Sequence, residues 1–208
     1  MIFSKEVDNV LTVLAWIGAI FLAMLSVVQA GPISGVTVTT NMGNGAGSNI
    51  SNISDGSGLI SYDPSSLHDV GNPTNSWAGN LATGTVTFDL HGTYLLSGLA
   101  VWNLNAFSAA GVRGVHVMQS VDGTTYVPIP GSPGTFAKGS EFAWESAGVF
   151  NFVALASYVR LDIVSNYGHS LTGLSEVMFL GSDIPEPATI VFVGAGVVCL
   201  ALLRRRQF

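Results

Sequence analysis

Apolar and polar residues alternate along the middle of the chain with the period of two that is typical of β-strands. From residue 85 to residue 90, Val86, Phe88 and Leu90 share one face. We find no convincing helical period between residues 31 and 183. The predicted strands are 36–39, 85–90, 95–102, 115–121, 125–129, 149–155, 158–164 and 174–180. Eight short strands at regular spacing favour an antiparallel β-sandwich or barrel.

Charged residues identify the outer face of the predicted strand 158–164. Its inner face carries Val159, Leu161 and Ile163, and its outer face carries Arg160 and Asp162.

Turn signals separate the predicted strands. The dipeptide Asp122-Gly123 predicts a hairpin between strands 115–121 and 125–129. Residues 41–58 are rich in Gly, Ser and Asn and are predicted to form a loop.

The N-terminal 30 residues carry an apolar run from Val10 to Val28. Small residues at Ala30 and Gly31 follow the run and fit a cut by signal peptidase. We therefore predict a signal helix that is cleaved between Ala30 and Gly31. The run is long, and Glu6 and Asp8 offset the positive charge expected before it, so an uncleaved N-terminal anchor stays an alternative.

The C-terminal 25 residues, 184–208, have the order of a sorting signal. Pro185, Glu186 and Pro187 break regular structure, residues 188–203 are uncharged and apolar, and three arginines follow. As a helix, 188–203 would span roughly 24 Å of a hydrocarbon core about 30 Å thick. Snorkelling of the arginines would cover part of the shortfall and hold that end in the cytoplasm, so the chain upstream is exported. The arginines are Arg204, Arg205 and Arg206.

This tail resembles the PEP-CTERM tail of Gram-negative bacteria that make exopolysaccharide. The resemblance implies that a membrane protease, an exosortase, cuts near the Pro-Glu-Pro. The protein would pass through an intermediate tethered to the inner membrane and then reach the cell surface or the extracellular biofilm matrix. The alternative is an ordinary tail anchor that contains Pro-Glu-Pro by chance.

The segment between the two ends is one domain, 31–183, and it is long enough for a single core. It holds ten acidic and three basic residues, a net charge of −7, which argues against nucleic acid as a partner. The one cysteine of the chain, Cys199, lies in the predicted tail helix, so no disulfide stabilises the domain.

Several separated patches of this domain resemble discoidin or coagulation-factor type C domains. The patches are Thr87 to Leu90, Leu99 to Asn103, Val117 to Tyr126, Tyr158 to Ile163 and Gly173 to Val177. The resemblance implies a galactose-binding-like β-sandwich of the jelly-roll type that binds glycans or other surface ligands through loops at one end.

The same resemblance implies a calcium ion between the first loop and the last strand. The matching positions are Asp55, with Ser57 as a weaker ligand, and Glu176. Oxygen ligands of this kind suit a hard cation. The alternative is that Asp55-Gly56 forms an ordinary turn and that Glu176 is a solvated strand residue.

The resemblance places the ligand site in the loops beside Trp102, which we expect to be a core residue. Asn103, Asn105 and Arg113 would read sugar hydroxyls. The predicted aromatic platform is Trp77, Phe107 or Tyr167. The alternative is that these amides and this arginine only organise the loops.

Catalytic motifs are missing from the domain: the four histidines form no metal-ligand pattern, and there is no nucleophile elbow or phosphate loop. We therefore expect an exported, non-catalytic protein that binds polysaccharide. The alternative is a structural or adhesive matrix protein that uses the same fold to bind another protein or itself.

Overall fold

The computed structural model describes residues 30–45 and 47–184, which form ten β-strands and two short 3₁₀ helices, Ile50–Ile53 and Ser108–Ala110. None of the helices among these residues is long and apolar enough to cross a membrane. The predicted signal and tail helices lie outside the described residues. The strands are β1 Gly31–Pro32, β2 Thr37–Thr40, β3 Leu67–His68, β4 Trp77–Ala78, β5 Gly84–Asn103, β6 Val112–Ser120, β7 Val127–Pro128, β8 Glu145–Ser146, β9 Gly148–Asn166 and β10 Gly173–Asp183.

Two long bent strands, β5 and β9, run side by side through both layers of the fold. Their first contacts pair 84–89 with 158–163, and after a register shift their second contacts pair 94–101 with 148–156. The bend of β5 contains His91, a non-glycine residue with φ of 56°. The sequence predicted two separate strands for each of β5 and β9, because a bend within one strand and a turn between two strands have similar sequences.

The bends divide the main sheet into two layers. Layer A has the order β2, the first half of β5, the second half of β9, β6 and β7. Layer B has β1 and β4 on one side of β10, followed by the second half of β5 and the first half of β9. All of these strand pairs are antiparallel, which confirms the antiparallel sandwich-like fold.

The core lies between the layers. Phe88 of layer A meets Phe179 of layer B with ring centroids 5.0 Å apart in an edge-to-face arrangement. The predicted inward rows are confirmed, since the residues at 86, 88, 90, 159, 161 and 163 are all buried. Burying each side chain of this size contributes about 1.5–3 kcal/mol. On the outer face, the guanidinium of Arg160 donates to both carboxylate oxygens of Asp162.

A second, smaller cluster covers the outer face of layer B. Trp102 packs with Ala100 and Met178 beneath the segment that contains Leu59 and Tyr62. As predicted, Trp102 is fully buried, and its Nε1 donates to the carbonyl of Ser66 at 2.9 Å. This segment therefore covers the outer face of β10 and buries the side chains on that face, including Glu176.

Candidate functional site

Four strand ends converge at one end of the sandwich. β5 ends where β10 begins, with Asn103 opposite Leu174, and β6 begins where β9 ends, with Val112 opposite Asn166. The loops that leave these ends lie together, as the ligand-site prediction requires.

Asn103 is buried at the base of this loop cluster. Its Nδ2 donates to the carbonyls of Val112 and Ala137 at 2.7 and 2.6 Å. Its Oδ1 accepts from the backbone amides of Leu104 and Val112 at 3.0 and 2.9 Å. Both Nδ2 hydrogens and Oδ1 are thus used within the protein, so the prediction that Asn103 binds sugar hydroxyls is wrong. The Asn103 side chain holds the loops together instead.

Asn105 is fully buried and is used in the same way. Its Nδ2 donates to the carbonyls of Asp69 and Ala143, and its Oδ1 accepts from the amide of Gly71 and the hydroxyl of Ser175. The prediction that Asn105 binds a ligand is also wrong. Its amide joins its own loop, the loop of Asp69 and Gly71 and the loop of Ala143 to Ser175 on β10.

Trp77 cannot serve as a platform. Its side chain is fully buried in the main core, and its Nε1 donates to the carbonyl of Gly43 at 3.0 Å. The ring contributes core packing, which corrects its assignment to the ligand site.

Arg113, unlike Asn103, Asn105 and Trp77, is exposed. Its guanidinium carbon lies 5.8 Å from the centre of the Tyr167 ring. The Tyr167 hydroxyl donates to the carbonyl of Phe136 at 2.7 Å, which fixes the ring. Arg113 forms no ion pair with any residue in the described part of the chain. A positioned guanidinium of this kind can donate to hydroxyls or carboxylates.

Two exposed rings and one half-buried ring adjoin in the same loop cluster, which we name the aromatic patch: Phe107, Phe142 and His169, of which His169 is the half-buried one. Phe107 is 57% exposed and Phe142 is 66% exposed. The Phe107 ring lies 6.4 Å from that of Phe142 and 6.0 Å from that of His169. Large exposed rings that touch one another are unusual on a soluble surface and mark binding sites.

Sequence reasoning missed Phe142, which adopts a φ of 53° in a loop flanked by glycine and serine. The backbone amide of Phe142 donates to the carbonyl of Asn105 at 2.8 Å. Nearby, the Ser108 hydroxyl donates to Glu141 Oε2 at 3.3 Å, which places a carboxylate beside the patch. The sequence feature that could have identified Phe142 is its position next to an acidic residue, Glu141, in a loop of small residues.

A different constellation surrounds Glu176, under the segment that covers layer B. The side chain is fully buried, Oε1 accepts from the Gly56 amide at 3.3 Å, and Oε2 has no hydrogen-bond partner among the residues that the structure describes. Burial raises the pKa of the Glu176 carboxyl to about 9, the Gly56 hydrogen bond lowers it, and the Asp55 carboxylate raises it. Burial and the charge of Glu176 also raise the pKa of Tyr62 to about 12.

The predicted metal ligands lie close to this carboxyl. Asp55 Oδ1 accepts from the amide of Ser57 at 2.8 Å, and the Ser57 hydroxyl donates to the carbonyl of Asn52 at 3.4 Å. No group of three or more His, Cys, Asp or Glu able to hold a metal occurs in the described residues. A cation here would therefore depend on two carboxylates, Asp55 and Glu176, completed by hydroxyl and carbonyl oxygens. An orphaned buried carboxylate oxygen within an oxygen-only set fits a hard cation such as Ca²⁺.

Comparison with known proteins identifies the tail. Residues 183–206 match the family described as the PEP-CTERM protein-sorting motif. This match confirms the predicted tail, from Pro185-Glu186-Pro187 to the arginines at 204–206. A search of curated proteins found no match. The cut between Ala30 and Gly31 stays a prediction, and in the structure Gly31 begins β1 opposite Gly181.

Comparison with solved structures identifies the fold. The family 32 carbohydrate-binding module of Clostridium perfringens NanJ, solved with galactose, is 11% identical with a TM-score of 0.52, covering 73% of this chain and 98% of that one. A module of the same family from a C. perfringens family 31 glycoside hydrolase is 13% identical with a TM-score of 0.51, covering 72% and 96%.

A much longer structure matches over one part of its length. It is a C. perfringens family 89 glycoside hydrolase solved with its substrate GlcNAc-α-1,4-galactose, 21% identical with a TM-score of 0.50. The match covers 75% of this chain but only 16% of the hydrolase. These similarities show the fold alone, and they confirm the predicted all-β, antiparallel, sandwich-like architecture.

Proposed function

We propose that this chain is an exported, non-catalytic protein that binds polysaccharide at the aromatic patch. The observation that carries the proposal is the contact of two largely exposed phenylalanine rings, Phe107 and Phe142, in the loop cluster at one end of the sandwich. The structural neighbours support it, because two of them are carbohydrate-binding modules.

Each part of the site has a distinct role in this proposal. The apolar face of a sugar ring packs on Phe107 and Phe142, and His169 borders that surface. The carboxylate of Glu141 accepts from sugar hydroxyls, and the guanidinium of Arg113 donates to them. Both phenylalanine rings are largely exposed, so we expect a single sugar to bind weakly and many copies on one surface to bind a polymer through avidity.

Calcium is part of the proposal as a scaffold ion. Asp55 and Glu176 would hold it through their carboxylates, with Ser57 as the weaker ligand. The ion would supply positive charge beside the Glu176 carboxyl, whose pKa is raised to about 9 by burial. Its binding would fix the loop that leads into Gly56 and thereby stiffen the domain.

Sorting completes the proposal. The PEP-CTERM motif supports processing by an exosortase, and the apolar N-terminal run supports an earlier cut by signal peptidase. The protein would pass through an intermediate tethered to the inner membrane of a Gram-negative bacterium. It would end at the cell surface or in the extracellular matrix, where exopolysaccharide is the available ligand.

A glycan array probed with the detergent-solubilised chain tests the proposal. We expect binding to a subset of polysaccharides that falls at least tenfold in Phe107→Ala and Phe142→Ala. The matched control is Val121→Ala, an exposed apolar residue in the β6–β7 hairpin. Absence of binding to any glycan would reject the sugar site and favour the structural or adhesive matrix protein.

A further inference from the structure

The first half of β9, residues 148–156, forms a free edge of layer B. One side of this segment pairs with β5. β6 pairs only with residues 158–166 of the same strand. Within residues 30–45 and 47–184, no backbone hydrogen bond joins the other side of 148–156 to any segment. Its outward N–H and C=O groups are therefore open to another strand.

The exposed face of this edge is uncharged and mostly apolar, with one polar residue, Asn151. Val149, Val153 and Leu155 point outwards, and Val153 is 73% exposed. Leu95 of β5 lies opposite Leu155 and extends the apolar row. No charged residue occurs between Glu145 and Arg160. A long, uncharged, apolar edge strand is a template for intermolecular pairing.

The other edges of the sheet are protected in ways that this one is not. β7 has two residues, one of which is Pro128. β2 has four residues, three of them threonines, and β1 and β4 have two residues each. Short edges and proline oppose strand addition, whereas 148–156 is nine residues long without proline or charge.

We infer that this edge pairs with the same edge of a second copy of the chain. Self-complementarity selects that occupant, because an uncharged edge can lie antiparallel to itself. The domain 31–183 carries a net charge of −7, which opposes contact between two copies elsewhere, whereas a contact along the neutral segment 148–156 places no like charges directly opposite each other. A basic partner would find no acidic residue on this edge to pair with.

An antiparallel pair about a twofold axis is self-complementary here. Directly opposed residues must share a face. One such register places Val149 opposite Val153 of the other copy, and the next places Val149 opposite Leu155. Asn151 faces Asn151 of the other copy in the first register and Val153 in the second, and both registers continue layer B across the two copies without opposing like charges.

The contact is small, so we expect it to form where copies are concentrated. Nine residues span about 30 Å at about 3.3 Å per residue. The pairing buries less than the roughly 1,600 Å² of a standard stable interface. Dimerisation is then weak in dilute solution and is promoted on a surface that carries many copies.

Cysteine crosslinking of the full chain in mild detergent tests this inference. The parent is Cys199→Ser, and Asn151→Cys places one thiol on the edge, where either register brings two copies within about 8 Å. We expect a short bis-maleimide to give a dimer at about 100 µM protein. The matched control is Thr39→Cys, an exposed position on the β2 edge, and it should give at least tenfold less dimer.

A positive charge placed on the edge 148–156 should prevent formation of the crosslinked dimer. Val153→Lys added to the Asn151→Cys chain should reduce the dimer at least tenfold, and Leu155→Lys serves as a second edge variant. Val164→Lys is the matched control, because Val164 is 50% exposed on the same strand but lies in the half that β6 covers. Circular dichroism establishes that each variant is folded.

Several results would overturn the inference. These are a monomer alone from Asn151→Cys, equal crosslinking from Thr39→Cys, or a dimer that persists in both lysine variants of the edge. A crosslinked product whose mass is not that of two chains would show that the occupant is a different protein.

Discussion

The carbonyl of Asn105 accepts a hydrogen bond from the amide of Phe142 at 2.8 Å, and the Asn105 side chain donates to the carbonyl of the next residue, Ala143. One buried residue thus holds the backbone on which the most exposed ring of the aromatic patch is mounted. We therefore expect Asn105 to contribute both to stability and, through the position of Phe142, to the proposed ligand binding, although its side chain is fully buried.

Replacement of this amide should weaken both properties. Asn105→Ala leaves the groups of Asp69, Gly71 and Ala143 without their partner, and we expect the free energy of unfolding to fall by about 1–3 kcal/mol. Urea unfolding measures this change, and binding to the array polysaccharide should fall with it. The control is Asn151→Ala, an exposed asparagine, which should change stability by less than about 0.5 kcal/mol. A similar loss in both variants would contradict the role of Asn105.

Arg113 should affect binding without affecting folding. Arg113→Ala and Arg113→Lys are both expected to weaken polysaccharide binding by about tenfold, because lysine keeps the charge but lacks the planar set of donors. The melting temperature should stay within about 2 °C of the parent, since the side chain is exposed. Isothermal titration calorimetry provides the affinities. Full binding by Arg113→Lys would show that only charge is required.

Glu176 should make stability depend on pH when calcium is removed. The unfolded carboxyl has its ordinary pKa near 4.5, and burial raises the pKa in the native state to about 9. Between these values the native state holds a proton that the unfolded state has released. The free energy of unfolding therefore falls as pH rises from about 5 to 9, with a slope of up to about 1.4 kcal/mol per pH unit.

Urea unfolding in EDTA at pH 5.5, 7 and 8.5 measures this slope. Glu176→Gln resembles the protonated carboxyl and should remove the contribution, so its stability should fall less than that of the parent over the same range. Parallel pH dependence in the two proteins would show that Glu176 titrates normally in the folded state.

Calcium should reverse the trend. A ligand that binds only the folded state at about 100 times its dissociation constant adds about 2.7 kcal/mol, which raises the melting temperature by several degrees. Because the ion requires the carboxylate form, the rise should be larger at pH 8.5 than at pH 6. Asp55→Asn and Glu176→Gln should lose the rise, and Glu141→Gln, in the other loop cluster, should keep it. An equal rise in all four proteins would place the ion elsewhere.

The alternation of side chains predicted the inner faces of the strands because the residues of a strand alternate between the two faces of a sheet. Phe88 and Leu161 were assigned to the core on this ground alone, and both are fully buried. The pattern could not show that strands 85–90 and 95–102 are one bent strand. Pairing continues around the corner at His91, and only the partner strand reveals that.

The site was less predictable than the fold because its polar residues are defined by distant partners. Asn103 binds the carbonyl of Ala137 and Asn105 binds that of Ala143, 34 and 38 residues along the chain. From sequence, an asparagine that reads a sugar and one that ties loops together look the same. The burial of Trp77 likewise depends on the register of β4 with β10.

β10 also has a mechanical consequence. It begins at Gly173, beside the loop cluster, and ends at Asp183, where the sorting motif starts. In the proposed intermediate that is still tethered by its C-terminal tail, a polysaccharide bound at the loops would place this strand under tension. It is paired with β5 over most of its length and with β1 and β4 at its two ends. A pull parallel to the strand would load these hydrogen bonds together in shear rather than opening them one at a time, so β10 would transmit tension between the loop cluster and the C-terminal end of the domain.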